Sequence, residues 1–393
     1  MKRQGIYMEQ KTIKLLFALV RSALTDDTLS KEARAEYTIE QLPEMANVAK
    51  QHDILHLLAL GLQKNGLQSA QTSKIEQSIF KAVYRYEQLS YEYTSLCEVL
   101  ETAKIPFLPL KGSILRHYYP EAWMRTSCDV DVLVRREHVE AAVACLTEKL
   151  QYKETERATH DVSLYSQSGS HIELHFDLVE EDRAQNATQI LNTVWDDVSL
   201  REGSAYHYQM TDVFFYFYHI AHMAKHFETG GCGIRPLIDL WILDNMQGVD
   251  VQKRDELLEK GGLLQFATVS RKLSAVWMNG EEADALSLQM QNFIFSGGVY
   301  GTAANRVTLQ QKKHGGKIGY IFSRMFVPYE RLKRYYPILE KHRWLMPFMQ
   351  VRRWFMLLNP RIRQMAKKEL KTNGKMDKET AAEMHAFLDN IGL

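Results

Sequence analysis

The stretch RTSCDVDVLVRRE runs from Arg125 to Glu137. Val130, Val132 and Val134 alternate with Asp129, Asp131 and Leu133, and a run so rich in Val and Leu predicts a β-strand. Residues i and i+2 of a strand share a face, so the two carboxylates are neighbours at its N-terminal end. Unpaired, they repel, and one is driven toward protonation. A divalent cation between them removes the conflict, and Mg²⁺ takes one or two carboxylates plus substrate phosphates. The plain alternative is a loop aspartate followed by a strand-start aspartate, both in water. So short a pattern turns up by chance, and the neighbouring segments must decide.

Downstream, HIELHFDL repeats the alternation. Ile172, Leu174, Phe176 and Leu178 share one face, and His171, Glu173, His175 and Asp177 share the other. A half-exposed edge strand gives the same pattern. Beside Asp129 and Asp131, however, Glu173 supplies a third carboxylate, and three acids on neighbouring strands can hold two metals, one at the attacking oxygen and one at the leaving group. Upstream, IPFLPLKG predicts a short strand ending at Lys111-Gly112, and SILRHYYPEAW a helix with Ser113 as a possible cap. Gly112 lets backbone approach a ligand. N–H groups at a helix start favour an anion, and the Ser113 hydroxyl and Lys111 ammonium add donors. The amphipathic REHVEAAVACLTEKL, the strands YKETER and DVSLYSQSGS, and a turn at Ser168–Ser170 complete an α/β unit with a mixed sheet.

The order LPLKGSILRHYYP, Arg125, DVDVLV, HIELHFDL resembles a bacterial family of uncharacterised nucleotidyltransferases within the polymerase-β-like superfamily. Lys111, Gly112, Tyr119, Pro120, Arg125, Asp129, Asp131, Leu133, Val134, Glu173, Leu174 and His175 carry the likeness. It extends to HIAHMAKHF, IRPLIDL and the RYYPIL and PFMQVRRW segments, and is weakest in the first hundred residues. The small residues usual before the first Asp are Ser127-Cys128 here. The resemblance implies an α+β fold: a polymerase-β-like nucleotidyltransferase core with a mixed β-sheet, flanked by N- and C-terminal helical domains. It implies transfer of a nucleoside monophosphate from an NTP to an acceptor, with release of pyrophosphate. Asp129, Asp131 and Glu173 would hold two Mg²⁺ or Mn²⁺ ions, with Glu173 as base. Gly112 and Ser113 would cradle the β/γ-phosphates, with Lys111, Arg125 and His175 beside the nucleotide. Catalysis would be mostly positioning and charge neutralisation.

Two flanking patterns bear on this expectation. His219, His222 and His226 fall on one face of the helix predicted for YQMTDVFFYFYHIAHMAKHFETGG, with Lys225 adjacent and Asp239 on the next helix. Helical histidines in such a layout can be zinc ligands, and His222 and His226 stand four residues apart. We expect the stripe to face the cleft, with His222, Lys225, His226 and Arg235 suited to triphosphate or acceptor anions; a packed polar core is the alternative. Between Arg306 and Lys371 stand seventeen Lys/Arg and three Glu, a net of +14 in a chain whose formal charge is +1. Such asymmetry suits an anionic partner. Its interleaved Phe, Tyr and Trp suit single-stranded nucleic acid, an anionic membrane surface or a helical core. The core is expected, because WLMPFMQVRRWFMLL has too many large apolar residues to stay exposed.

The 393 residues allow two or three packed units. Residues 1–100 are expected as a helical subdomain, with TIEQLPEMANVAKQHDILHLLALGLQKNG ending its helix at Asn65-Gly66. The nucleotidyltransferase core follows over 101–205, a helical domain closing the cleft over 206–300, and the basic aromatic region over 301–393. With 45% apolar and 25% charged residues, the composition is that of a globular protein. Cys97, Cys128, Cys145 and Cys232 form no CxxC pair, which fits a reducing cytoplasm. No signal peptide or membrane span is expected. Two other functions fit the pattern: a non-catalytic nucleotide-binding partner of a biosynthetic cluster, and a toxin-like nucleotidyltransferase acting on protein or tRNA. The acceptor (small molecule, sugar, peptide or RNA) is not encoded in any of these motifs.

Overall fold

The computed structural model describes residues 8–178, 185–298, 301, 305, 307–309, 311, 315–336, 338–375 and 378–393. Its first part is helical: α1 (Gln10–Leu24), α2 (Leu42–Gln51), α3 (Leu55–Lys64) and the long α4 (Ser73–Thr102). The apolar spacing from Thr38 to Gly66 suggests continuous helix, but the chain breaks between α2 and α3. There Asp53 takes a positive φ of 57°, which lets it reach the site described below. Asn65 and Gly66 end α3 as expected.

Five strands follow: β1 (Phe107–Pro109), β2 (Asp129–Val134), β3 (Lys153–Arg157), β4 (Asp161–Tyr165) and β5 (His171–His175). Their order is β1-β2-β5-β4-β3, with only β2 and β5 parallel. The parallel pair is reached through the crossover helix α5 (Val139–Lys149) and the β3-β4 hairpin. Alternation along β2 and β5 sorts the sheet into two faces. Val130, Val132, Val134, Ile172 and Leu174 are buried with Val162 and Leu164 against α4 and α5. Leu133 points the other way, into a larger core shared with α1 and α3.

That larger core also takes α6 (Asp212–Thr229), α7 (Arg235–Asp244), α8 (Leu264–Asn279) and α9 (Ala285–Phe295). Thr211 caps α6 by accepting from the Phe214 N–H, and Gly230 ends it with φ 129°. A one-turn helix, Gly112–Leu115, replaces the longer helix expected there, and 3₁₀ turns continue the chain to Met124. Ser113 is therefore not a cap; the capping position is Lys111.

The C-terminal region holds α10 (Lys317–Met325), α11 (Met346–Phe355), α12 (Pro360–Lys375) and α13 (Lys378–Asn390). Its aromatics were expected to be core, and the structure corrects this. Val327, Leu332 and Leu339 make a separate small core, while Trp344, Phe348, Phe355 and Leu358 are each more than half exposed. A core of three residues covers one side of α11 and leaves the other bare. Among the described residues no helix is long and apolar enough to cross a membrane.

Candidate active site

The parallel register of β2 and β5 places Asp129 opposite His171, Asp131 opposite Glu173 and Leu133 opposite His175. The three carboxylates named from the sequence thus lie on one face at one end of the sheet. β1 brings in Lys111, because Leu110 donates its N–H to the Asp131 carbonyl. Lys111 Nζ lies 2.7 Å from Asp131 Oδ1 and 3.7 Å from Glu173 Oε2. His175 Nε2 lies 2.9 Å from the same Asp131 oxygen and 3.3 Å from Glu173 Oε2. Lys111 adopts a positive φ of 43°, a conformation disfavoured for a non-glycine residue.

Burial and charge split the two aspartates. Asp129 is pushed up to about 6, first by burial and then by the Asp131 carboxylate. Burial also pushes Asp131 upward, but Lys111 and His175 outweigh it and hold its carboxyl well below the usual range. Burial lowers the His175 imidazole, and its bonds to Asp131 and Glu173 more than restore it. The ligand atoms of Asp129, His171 and Glu173 fall within 4.8 Å of one another, as do those of Asp131, Glu173 and His175. Glu173 belongs to both groups. Carboxylate oxygens suit Mg²⁺ or Mn²⁺, and the Lys111 ammonium between Asp131 and Glu173 shows that these acids already hold positive charge.

The loop before Asp129 is fastened from four sides. Arg125 makes a two-pronged, buried ion pair with Asp239 of α7, with Nε–Oδ1 and Nη2–Oδ2 distances of 2.9 Å. The Tyr119 hydroxyl donates to the same carboxylate at 2.7 Å. Arg125, expected beside nucleotide, lines the cavity described below while Asp239 holds its guanidinium. Arg235 reaches Asp53 at 2.5 Å, and Asp53 accepts from Thr126 Oγ1 at 2.8 Å. Arg85 donates to the Cys128 carbonyl, and His56 Nε2 meets the Met124 carbonyl at 2.7 Å. Gly112 serves the same loop: a Cβ there would stand 2.1 Å from Ser127 Oγ. Its smallness makes room for Ser127 as well as opening the cavity. Gly112→Ala is expected to displace this loop and destabilise the protein by about 1–3 kcal/mol, with reduced turnover. Urea titration checks it; an unchanged midpoint would show that Ser127 simply rotates away.

Helices α6 and α7 form the opposite wall of a cavity of about 300 Å³. His222, Lys225, His226 and Arg235 line it with Lys111, Arg125, Asp129, Asp131, Glu173 and His175, as the sequence suggested. Burial, and then Lys111, push the Lys225 amine down to about 8. His219 also lines the cavity, but its Nε2 meets the Pro236 carbonyl at 3.0 Å. Among the described residues the histidine stripe forms no cluster able to hold a metal. Ser113 departs from expectation. Its Oγ is buried with no hydrogen-bond partner, and the residue lines a separate cavity with His117, Arg201 and His207. Asp53 and Asp161 escaped the sequence reading of the site, and His171 and Asp239 were seen in it without a role. His171 was visible on the polar face of β5. Asp53, Asp161 and Asp239 reach the site through a helix break, a strand register and a helix contact, none of which leaves a local pattern.

A family model described as uncharacterised nucleotidyltransferase matches residues 40–279. No curated protein and no solved structure matches the chain. The matched stretch is more than half of the chain and contains the carboxylate strands, the Lys111–Gly112 turn and both helical walls of the cavity. The chain belongs to this family of uncharacterised nucleotidyltransferases.

Proposed function

We propose that the protein transfers a nucleoside monophosphate from an NTP to an acceptor hydroxyl, using divalent metal held by Asp129, Asp131 and Glu173. The observation that carries this reading is three carboxylates on two parallel strands facing the basic wall of His222, Lys225 and His226 across one cavity. Mg²⁺ or Mn²⁺ in such a site neutralises phosphate charge and acidifies a bound hydroxyl. The acceptor oxygen bonds to the α-phosphorus, the bond from that phosphorus to the β-phosphate oxygen breaks, and pyrophosphate leaves. Glu173, the more exposed partner of the Asp131–Glu173 pair, is placed to take the hydroxyl proton. Lys225 faces the phosphates, while the Arg125–Asp239 pair fixes the loop that carries Asp129.

The test is incubation with each of the four NTPs labelled at the α-phosphate, with Mg²⁺ or Mn²⁺ and cell extract as acceptor. Metal-dependent labelling of a product supports the reading, and the product names the acceptor. Lys225→Met should weaken NTP binding by about ten-fold or more, the scale of a lost charge-assisted phosphate contact. Calorimetric titration checks it, and unchanged affinity would remove Lys225 from the triphosphate site. One observation favours a second reading, a nucleotide-binding protein without catalysis: Lys111 bridges Asp131 and Glu173 where a metal would sit. Tight NTP binding with no metal requirement and no transfer would select it.

A further inference from the structure

We propose that the C-terminal basic region seats the protein on an anionic lipid surface. Trp344, Phe348, Val351, Phe355 and Leu358 recur at alternating spacings of four and three residues along and beside α11. That spacing stacks them on one helical face, and all five are between 45% and 74% exposed. The face is not the one α11 uses for packing. Leu345, Met346 and Met349 turn the other way, onto the small core of Val327, Leu332 and Leu339. Helix α10 extends the same kind of surface with Ile318 and Phe322, both more than half exposed. The two helices are locked together: Phe326 lies edge to face with Trp354 at 5.5 Å, and Trp354 Nε1 donates to the Met325 carbonyl. The apolar surface is therefore built on fixed elements.

Charge selects the occupant. Lys317 to Lys371 carries fourteen Lys/Arg against three Glu. Arg343 lies over Tyr329 and Arg352 over Tyr336, so two of these cations sit beside the small core that α11 packs on. A second copy of the chain would bring the same excess of positive charge against itself. Single-stranded nucleic acid would stack on Trp344 and Phe348 but leave Ile318, Val351 and Leu358 without a partner. An anionic bilayer surface accepts all of it: aromatics at the headgroup boundary, aliphatic side chains just below, Arg and Lys among the phosphates. Because no described helix is long and apolar enough to span, α11 would lie in the plane of the interface. Such seating would hold the nucleotidyltransferase site beside acceptors confined to that surface.

The experiment is co-sedimentation of the full chain with phosphatidylcholine vesicles, with and without phosphatidylglycerol. Binding is expected only with the anionic lipid and should fall as salt rises. Phe348→Ser with Phe355→Ser should weaken it by about ten-fold or more, as expected for losing two large apolar anchors. Arg363→Glu with Lys367→Glu should weaken it too, and these exposed sites leave the cores intact. No binding to anionic vesicles overturns the proposal. So does equal binding to phosphatidylcholine alone, or capture of single-stranded RNA that the same variants abolish while vesicles are ignored.

Discussion

Asp129→Asn is expected to abolish nucleotidyl transfer while making the metal-free protein harder to unfold at neutral pH. Loss of activity should reach about a thousand-fold or more, the scale of removing preorganised charge at a reacting phosphate. The gain in stability follows from the second aspartate. Burial and the Asp131 charge raise the Asp129 carboxyl from its ordinary 3.8 to about 6. The folded state therefore binds this proton more tightly than the unfolded state, and ionisation costs stability above about pH 6. The cost fades as the pH falls toward 3.8, where both states become protonated. A neutral amide removes it, a gain of about 1–3 kcal/mol. Mg²⁺ or Mn²⁺ should stabilise the native protein and leave the variant nearly unmoved. Asp131→Asn should instead destabilise the protein, because it removes the negative charge that Lys111 and His175 share. Thermal melts at neutral pH, with chelator and then with metal, separate the two. Equal destabilisation of both variants would mean that the carboxylates act alike and that the metal argument fails.

The second large effect lies away from the carboxylates. Arg125→Met leaves the fully buried Asp239 with the Tyr119 hydroxyl as its hydrogen-bond donor among the described side chains, and with His219 nearby. Breaking one side of a buried ion pair costs about 3–5 kcal/mol. The urea midpoint should drop accordingly, and transfer should fall because the loop carrying Asp129 loses its tie to α7. Arg125→Met combined with Asp239→Leu should recover much of the stability, since an apolar pair leaves no uncompensated charge. It should not recover activity, because the loop tie is still missing. A single variant as stable as the native protein would show that water reaches Asp239 and that this clamp is ornamental.

Much of the site could be read from short-range periodicity. Alternation placed Asp129 with Asp131 and Glu173 with His175, and the Lys111–Gly112 turn marked the neighbouring strand end. The register that sets Asp131 against Glu173 is a long-range pairing, and only the motif order hinted at it. Arg125 shows where local reading stops. A conspicuous arginine before two aspartates suggests phosphate, yet its partner is 114 residues away in sequence. Ser113 looked like a cap because Ser often is one, but a helix of one turn started a residue earlier. The C-terminal aromatics misled for another reason. Composition reports how apolar a segment is, but not how much core exists to receive it.

Strand β2 divides its side chains between two interiors, with Val130, Val132 and Val134 on one side and Leu133 on the other. The two acids are spliced into that same alternation. Any drift in either interior therefore arrives at the acids within one residue, with no flexible link to absorb it. The spacing of the acids is as durable as the whole body and no more so. Heating should silence the protein when the body melts rather than before, and substitutions deep in either interior should silence it without approaching the cavity.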